Sequence, residues 1–181
     1  MHEIEAKILE VNVPVIEKKL RALGAKKVFD GDMVYTLFDF KDKRLSKHES
    51  LLRLRQEGSR TRLTYKKLVS KVGAKISEEI ETEIKDGAAM VQVLSALGLQ
   101  PKKGYPLKKH RCSYVLGKVH FEFDTFKQIP TYLEIEAPTK KVLEQVARGL
   151  GFSRHDLLPW GTSEVFKHYG VLKDKSRTPR G

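Results

Sequence analysis

The chain of 181 residues carries 35 lysines and arginines against 23 aspartates and glutamates, for a formal net charge of +12, with 40% hydrophobic and 32% charged residues. This composition predicts a soluble globular protein with a core of its own and anionic partners, and it excludes disorder over most of the length. No run of 18 apolar residues occurs, and the charged start HEIEAK does not resemble a signal peptide. The single cysteine, Cys112, excludes an internal disulfide and a multi-cysteine metal site. Together these features predict a cytoplasmic protein.

Hydrophobic periodicity predicts eight strands interrupted by helices. In chain order the predicted elements are a strand at 2–11, a helix between Asn12 and Gly24, strands at 33–40, 50–57, 60–68 and 76–84, a helix at 87–97, strands at 106–116, 118–126 and 131–137, a helix at 140–150 and a short helix at 162–169. Hairpin-like spacing without a regular strand–helix alternation favours a largely antiparallel sheet or barrel in an α+β protein. The predicted organisation is one domain, 1–170, followed by a basic, flexible tail at 171–181.

Seven of these strands carry charges at alternate positions, and residues i and i+2 of a strand point to the same face. The charged sets are Glu3-Glu5-Lys7, Arg53-Arg55, Arg62-Lys66, Glu81-Glu83, Lys109-Arg111, Glu122-Asp124 and Glu134-Glu136. A solvated outer face explains any single set. The whole collection favours a barrel with its charges inside, because the amphipathic helices need an apolar outer surface to cover. The residues predicted to supply that surface are Leu52, Leu54, Ile80, Ile84, Phe121, Phe123, Leu133 and Ile135.

A tunnel lined by both signs of charge predicts a particular chemistry. Like charges inside it would repel strongly unless a divalent metal and an anionic substrate were bound. Mg²⁺ and Mn²⁺ prefer oxygen ligands, and Mg²⁺ is usually held by a few carboxylates together with substrate phosphates. Arginine and lysine side chains match phosphate oxygens. The pattern therefore predicts a site that orients a polyphosphate and neutralises charge during phosphoryl transfer, without a covalent nucleophile.

The ordered motifs resemble the CYTH domain, also called the triphosphate tunnel metalloenzyme superfamily. HEIEAK at 2–7 is similar to its N-terminal Glu-x-Glu-x-Lys signature, and LLRLRQ, LTYKK, EEIETEI, KKHR, FEFD and YLEIEAP follow in the expected order. Only the ordered combination, which spans roughly 1–170, is specific. The resemblance implies an eight-stranded antiparallel tunnel, with helices packed outside, that binds a triphosphate and Mg²⁺ or Mn²⁺.

The resemblance also implies roles for individual residues. The implied metal carboxylates are Glu3, Glu5, Glu134 and Glu136, with Asp124 near the metal that activates water or an attacking hydroxyl. The implied phosphate-binding residues are Lys7, Arg53, Arg55, Lys66, Lys109 and Arg111, and the expected catalytic residues are Asp124, Lys109 and Arg111. Glu81, Glu83 and Glu122 rank second because they could instead hold the tunnel cations in place. Arg62 ranks with them because a solvated position near a turn explains it equally well.

Three functions stay open at this point. A class IV adenylyl cyclase would convert ATP to cyclic AMP and pyrophosphate, and KKHRCSYVLGKVHFEFD resembles that branch of the family in its spacing. A triphosphatase would hydrolyse tripolyphosphate, a nucleoside triphosphate or thiamine triphosphate. A nucleotide- or polyphosphate-binding module without catalysis is the third function, although it would need fewer carboxylates. Family analogy is compatible with a homodimer, and neither a membrane nor nucleic acid is an expected partner.

Overall fold

The computed structural model describes residues 2–172 of the chain. In this part the strands are β1 His2–Ile8, β2 Lys26–Phe40, β3 Ser50–Glu57, β4 Arg60–Ser70, β5 Lys75–Ile84, β6 Leu99–Pro101, β7 Leu107–Leu116, β8 Val119–Phe126 and β9 Ile129–Ala137. The helices are α1 Val13–Ala22, α2 Arg44–Lys47, α3 Gly87–Ala96, α4 Lys140–Gly149 and α5 Thr162–His168, with a 3₁₀ turn at Arg154–Asp156.

Eight of these strands form a closed antiparallel barrel, and the predicted α+β barrel is thereby confirmed. Around the barrel the order is β2, β3, β4, β5, β1, β9, β8 and β7, and pairing of β7 with β2 closes the circle. The first strand of the chain lies between β5 and β9, so Glu5 faces Lys75 on one side and Glu136 on the other. Closure therefore brings charged motifs from both ends of the chain to one wall.

Three helices cover the outside of the barrel and build the main core there. Ile16 and Leu20 of α1 share a buried cluster with Leu143 of α4 and with outward-facing strand residues such as Phe121 and Ile135. A second cluster joins α3 to the outer faces of β2 and β3. Because the apolar faces of the strands pack against the helices, the charged residues at the alternate positions face the barrel interior.

The segment after α4 closes over one end of the barrel. Leu158 exchanges two backbone hydrogen bonds of 2.9 Å with Lys7, which extends the pairing at the end of β1. Helix α5 then buries Val165 and Phe166 in a cluster with Phe126 and Tyr132. The start of α5 thereby lies at one mouth of the barrel. None of the described helices is long and apolar enough to cross a membrane.

Two short elements and the early start of β2 were not predicted. β2 begins at Lys26 rather than at 33, because pairing with β7 through a bulge holds the Asp30–Asp32 stretch extended despite its poor strand propensity. Helix α2 forms because the Asp39 carboxylate accepts hydrogen bonds from the backbone of Leu45 and Ser46, both at 3.1 Å. β6 is a three-residue strand that pairs with the end of β2. These features depend on contacts with distant parts of the chain.

The prediction for the outer surface was wrong at one position. Ile80 on β5 is 71% exposed, so no helix covers it. The first strand is also shorter than predicted, since β1 ends at Ile8 rather than at 11. Residues 173–181, most of the predicted tail, lie outside the described part of the chain.

Candidate functional site: a charged tunnel

The barrel interior contains two connected cavities, of about 630 and 420 Å³. They share Arg53, Arg55, Lys66, Arg111 and Glu134 as lining residues and so form the two ends of one tunnel. The larger cavity, here called the charged chamber, is also lined by Glu3, Arg62, Glu81, Glu122 and Glu136. The smaller, here called the aromatic chamber, is also lined by Glu5, Lys7, Lys109, Asp124, Tyr35 and Tyr105. Of the predicted site residues, Glu83 alone lines neither cavity, and it is exposed.

Asp124 lies at the centre of the most buried ion-pair cluster. Both of its oxygens accept bonds of 2.6 Å from Arg111, and Lys109 donates a further bond of 2.6 Å. Burial raises the pKa of Asp124, but attraction to these two cations outweighs burial and holds the pKa below its ordinary value. Burial and the neighbouring Arg111 lower the pKa of Lys109 to about 8. The two cations are thus fixed side by side with an ionised carboxylate between them.

Lys7 and Glu134 form the second cluster, across the β1–β9 pair. They are direct cross-strand partners and form an ion pair, and Lys7 also lies 3.4 Å from Glu5. Lys75 approaches Glu5 from the other side at 2.8 Å. Burial opposes ionisation of Glu134, yet Lys7 and Arg111 hold its pKa well below the ordinary value. Both carboxylates of this cluster are therefore charged.

Three other carboxylates in the tunnel have raised pKa values. Burial, with Glu5 close by, raises the pKa of Glu3 to about 8, although Glu3 pairs with Lys66. Burial raises the pKa of Glu122 to about 7 against the opposing effect of its partner Arg111. Burial also raises the pKa of Glu136 to about 7. Glu136 makes no hydrogen bond or ion pair within residues 2–172, and its oxygens are open to a ligand.

The wall made by β3, β4 and β5 presents arginines to the tunnel. Arg62 and Arg55 donate hydrogen bonds of 2.8 and 3.3 Å to the Glu81 carboxylate, and the Thr64 hydroxyl donates a hydrogen bond of 2.7 Å to the same carboxylate. Arg53 and Arg55 lie on one face of β3, and their Nε atoms are buried without a hydrogen-bond partner in the described structure. Burial and the neighbouring Arg53 lower the pKa of Arg55. An unpaired buried donor is costly, so this wall is complementary to an anion.

The carboxylates of the β1, β8 and β9 wall fit a hard divalent cation. Glu5 lies directly opposite Glu136, and Glu134 lies directly opposite Glu122, which places like charges side by side. No three histidine, cysteine, aspartate or glutamate side chains within 2–172 converge into a complete ligand set. A Mg²⁺ site needs only one or two carboxylates when waters and substrate phosphates supply the other ligands. The donor set therefore fits an ion that arrives with a phosphorylated ligand.

Several residues of the tunnel were missed by the sequence reasoning. Tyr132 is buried and donates a 3.2 Å hydrogen bond to Asp124, and Lys75 and Glu79 pair with predicted site residues. Tyr132 lies two residues before Glu134 and Glu79 lies two residues before Glu81, and this shared parity is the signal that could have found them. Lys75 has no charged neighbour at that spacing. Leu51 and Leu68 also line the tunnel, but alternating charge cannot reveal them because their side chains are apolar.

The closed antiparallel barrel, with lysine, arginine and carboxylate side chains along its interior, defines the class of protein, a charged β-tunnel. The CYTH domain family matches residues 1–157, most of the chain, and the chain belongs to this family. The resemblance stated from the motifs is thereby confirmed.

Known proteins resemble the chain along most of its length. A Methanocaldococcus jannaschii protein named "Putative adenylate cyclase MJ0240" is 28% identical in an alignment of 171 residues that covers 87% of this chain and 94% of the relative. The solved structure of the PH1012 protein from Pyrococcus horikoshii has a TM-score of 0.75 at 28% identity and covers 90% of this chain and 98% of its own. A Hippeastrum protein, described as a putative adenylyl cyclase that reveals a dominant triphosphatase activity, shares the fold at 16% identity, with a TM-score of 0.60 and coverage of 92% and 95%.

Proposed function

We propose that the protein is a divalent-metal-dependent enzyme that acts on a triphosphate-containing substrate within the tunnel, with adenylyl cyclase activity as the leading reaction. The observation that carries the proposal is the pair of buried, unpartnered Nε atoms on Arg53 and Arg55, opposite a wall of carboxylates. Cations on one wall and carboxylates on the other are what a metal–polyphosphate complex requires.

The chain's own residues would bind and orient the substrate. Arg53, Arg55 and Lys66 face the space shared by the two chambers and would hold the phosphates. Lys109 and Arg111, fixed by Asp124, would stabilise negative charge that develops on the phosphates during transfer. Glu136, together with Glu5 and Glu134, would hold Mg²⁺ or Mn²⁺, which supplies charge neutralisation on the phosphate oxygens. Asp124 acts in this scheme mainly by positioning its two cations.

The cyclase and triphosphatase reactions need the same tunnel and differ in the bond broken. In the cyclase, the ribose 3′ oxygen forms a bond to the α-phosphorus and pyrophosphate leaves. In the triphosphatase, water forms a bond to the terminal phosphorus, the bond to the bridging oxygen breaks, and the diphosphate part of the substrate leaves while orthophosphate is released. The relative named as an adenylate cyclase supports the first reaction, and the Hippeastrum protein supports the second as the alternative.

Product analysis separates these reactions. The protein would be incubated with ATP, GTP, tripolyphosphate and thiamine triphosphate in the presence of Mg²⁺ or Mn²⁺, and the products resolved by chromatography. Cyclic AMP with pyrophosphate identifies the cyclase, and orthophosphate identifies the triphosphatase. Binding without turnover of any substrate would leave a non-catalytic binding module and overturn the enzymatic proposal. A chelator arm, with Mg²⁺ or Mn²⁺ added back afterwards, tests the metal requirement.

A further inference from the structure

We propose that the aromatic chamber holds the base of a nucleoside triphosphate, with Tyr35 and Tyr105 as the residues that select a base-bearing substrate over inorganic tripolyphosphate. This inference rests on the proposed function, since the triphosphate itself must occupy the neighbouring cations. It names the substrate class that the tunnel takes and the residues that decide it.

The inward face of the barrel changes character along its strands. On β3 the inward residues are Arg55 and Arg53 and then Leu51, and on β4 they end in Lys66 and then Leu68. All five of these side chains line the aromatic chamber, and on both strands the leucine follows the cations toward the same end of the barrel. An apolar patch beside these cations suits a ligand that is anionic at one end and apolar at the other.

Two tyrosines complete the apolar side of this chamber. The rings of Tyr35 and Tyr105 meet edge to face, with centroids 5.7 Å apart and planes inclined by 62°. Tyr105 is half-buried, and burial raises its pKa to about 12, so its hydroxyl is protonated at neutral pH. Neither hydroxyl has a hydrogen-bond partner among residues 2–172. The pair therefore offers a ring face for stacking and two free hydroxyl groups for the edge of a heterocycle.

The aromatic chamber lies directly beside the arginines that would hold the phosphates. Arg53 and Arg55 line both the aromatic chamber and the space shared with the charged chamber. A ligand whose phosphates contact these arginines would thus place its organic group among the tyrosines and leucines. The chamber volume of about 420 Å³ lies within the roughly 300–1,000 Å³ typical of small-molecule sites.

Charge separates a nucleoside triphosphate from thiamine triphosphate. The described lining of the aromatic chamber contains nine lysine or arginine side chains and five carboxylates. This excess of positive charge disfavours the cationic thiazolium ring of thiamine, whereas a neutral base carries no such penalty. Inorganic tripolyphosphate has no group to cover the apolar lining and would leave it in contact with water.

The test compares triphosphate ligands that carry a nucleoside, no organic group or thiamine. Calorimetric titration in Mg²⁺ buffer would use α,β-methylene-ATP, diimidotriphosphate and thiamine triphosphate, with ligand integrity checked by chromatography. For Tyr105→Ala we expect the affinity for the ATP analogue to fall about 10-fold or more, the order expected for loss of one base–aromatic stacking contact. The affinity for diimidotriphosphate should change by less than about two-fold, because this ligand has no base and does not contact Tyr105. The wild-type protein should bind thiamine triphosphate more weakly than the ATP analogue.

A second variant guards against a structural effect of removing Tyr105. Leu51→Trp fills the chamber and should abolish binding of the ATP analogue while diimidotriphosphate still binds. Val34→Ala, the outward-facing neighbour of Tyr35, is the matched control and should bind every ligand as the wild type does. Circular dichroism and the melting temperature establish that each variant is folded.

The outcomes distinguish this inference from the proposed function. If the wild type binds neither triphosphate, the proposed function fails and the inference falls with it. If the wild type binds both, but Tyr105→Ala and Leu51→Trp weaken both ligands equally or leave both unchanged, the base does not occupy the aromatic chamber. The proposed function would stand in that second case. Selective loss of the ATP analogue supports the inference.

Discussion

Arg111 on β7 grips both carboxylate oxygens of Asp124 on β8, with Nε 2.6 Å from Oδ1 and Nη2 2.6 Å from Oδ2. The two residues are direct cross-strand partners, and Asp124 is 1% exposed. Lys109, two residues before Arg111, shares the same carboxylate. One buried negative charge thereby holds two positive charges that would otherwise repel each other, and it fixes the direction in which they face the tunnel.

Asp124→Asn should destabilise the ligand-free protein by about 3–5 kcal/mol, because breaking a buried ion pair leaves an uncompensated charge. Tripolyphosphate should recover part of this loss, since it supplies negative charge to the same cations. Urea unfolding with and without tripolyphosphate measures both effects. The outward-facing variant Glu78→Gln is the control and should unfold as the wild type does. An Asp124→Asn protein as stable as the wild type would contradict the positioning role.

Arg55→Met should weaken triphosphate binding by at least about 10-fold, because a phosphate loses a charge-assisted hydrogen-bond donor worth on the order of 1.5–3 kcal/mol. The stability of the ligand-free protein should stay the same or rise, because the buried Nε of Arg55 has no partner and Arg53 lies beside it. Glu81, which loses its bond from Arg55, keeps those from Arg62 and Thr64. Calorimetric titration and urea unfolding would be compared with the exposed-cation variant Arg60→Met. Equal affinity of Arg55→Met and wild type would remove Arg55 from the phosphate site.

Glu134→Gln should reduce metal-dependent turnover by about 10²-fold or more, the scale seen when an electrostatic group of an active site is removed. Glu134 pairs with both Lys7 and Arg111, so its loss also disturbs two proposed phosphate contacts. Rates measured over a range of Mg²⁺ and Mn²⁺ concentrations separate weaker metal binding from slower chemistry. The outward carboxylate variant Glu78→Gln again provides the control. A wild-type rate in Glu134→Gln would place the metal elsewhere.

The ligand-free protein should lose stability as the pH rises from about 5.5 to 7.5. The pKa values of Glu3, Glu122 and Glu136 are raised to about 8, 7 and 7, so in this window the folded protein holds protons that the unfolded chain has released. Stability falls with pH where the folded state binds more protons. Carboxylates with lowered pKa values, including Glu134, stay ionised in both states here and add no slope. Urea unfolding across the window measures the slope, which Glu136→Gln should flatten.

Mg²⁺ or Mn²⁺ should oppose this loss of stability at higher pH. A metal that binds Glu136 and its neighbours must displace their protons, so its apparent affinity increases as the pH rises through 7 to 8. The increase in melting temperature caused by saturating metal should therefore be larger at the alkaline end of the window than at the acidic end. The groups that face Glu136 are Glu5, Glu134, Glu79 and Lys66. A metal effect independent of pH would argue against these carboxylates as ligands.

The alternating charges predicted which residues face the tunnel, but they did not predict which of these residues form ion pairs with one another. Glu134 and Glu136 have the same parity and the same chemistry on β9. In the folded chain Glu134 is paired with Lys7, whereas Glu136 has no partner among the described residues. The difference depends on which residue of β1 lies opposite each of them, and that register is set by closure of the barrel.

The change from a charged to an apolar lining is a second feature that depends on the assembled barrel. Leu51 follows the parity of Arg53, so its inward direction is readable from the chain alone. That it shares a chamber with Tyr35 and Tyr105 depends on the pairing of β3 with β2 and on the loop before β7. The exposure of Ile80 also depends on the tertiary structure, because the placement of the helices decides which outward-facing residues are covered.

The sequence by itself determined the eight barrel strands, the three covering helices and the inward direction of nearly every candidate site residue. These follow from local periodicity, because a strand repeats every two residues and a helix every 3.6. The tertiary structure alone decided the long β2, the ion pairs and the separation of Glu3-Glu5-Lys7 between the two chambers. These features depend on the register between strands that are far apart in the chain. Contacts between side chains, their burial and the balance of their charges are established only when the barrel closes.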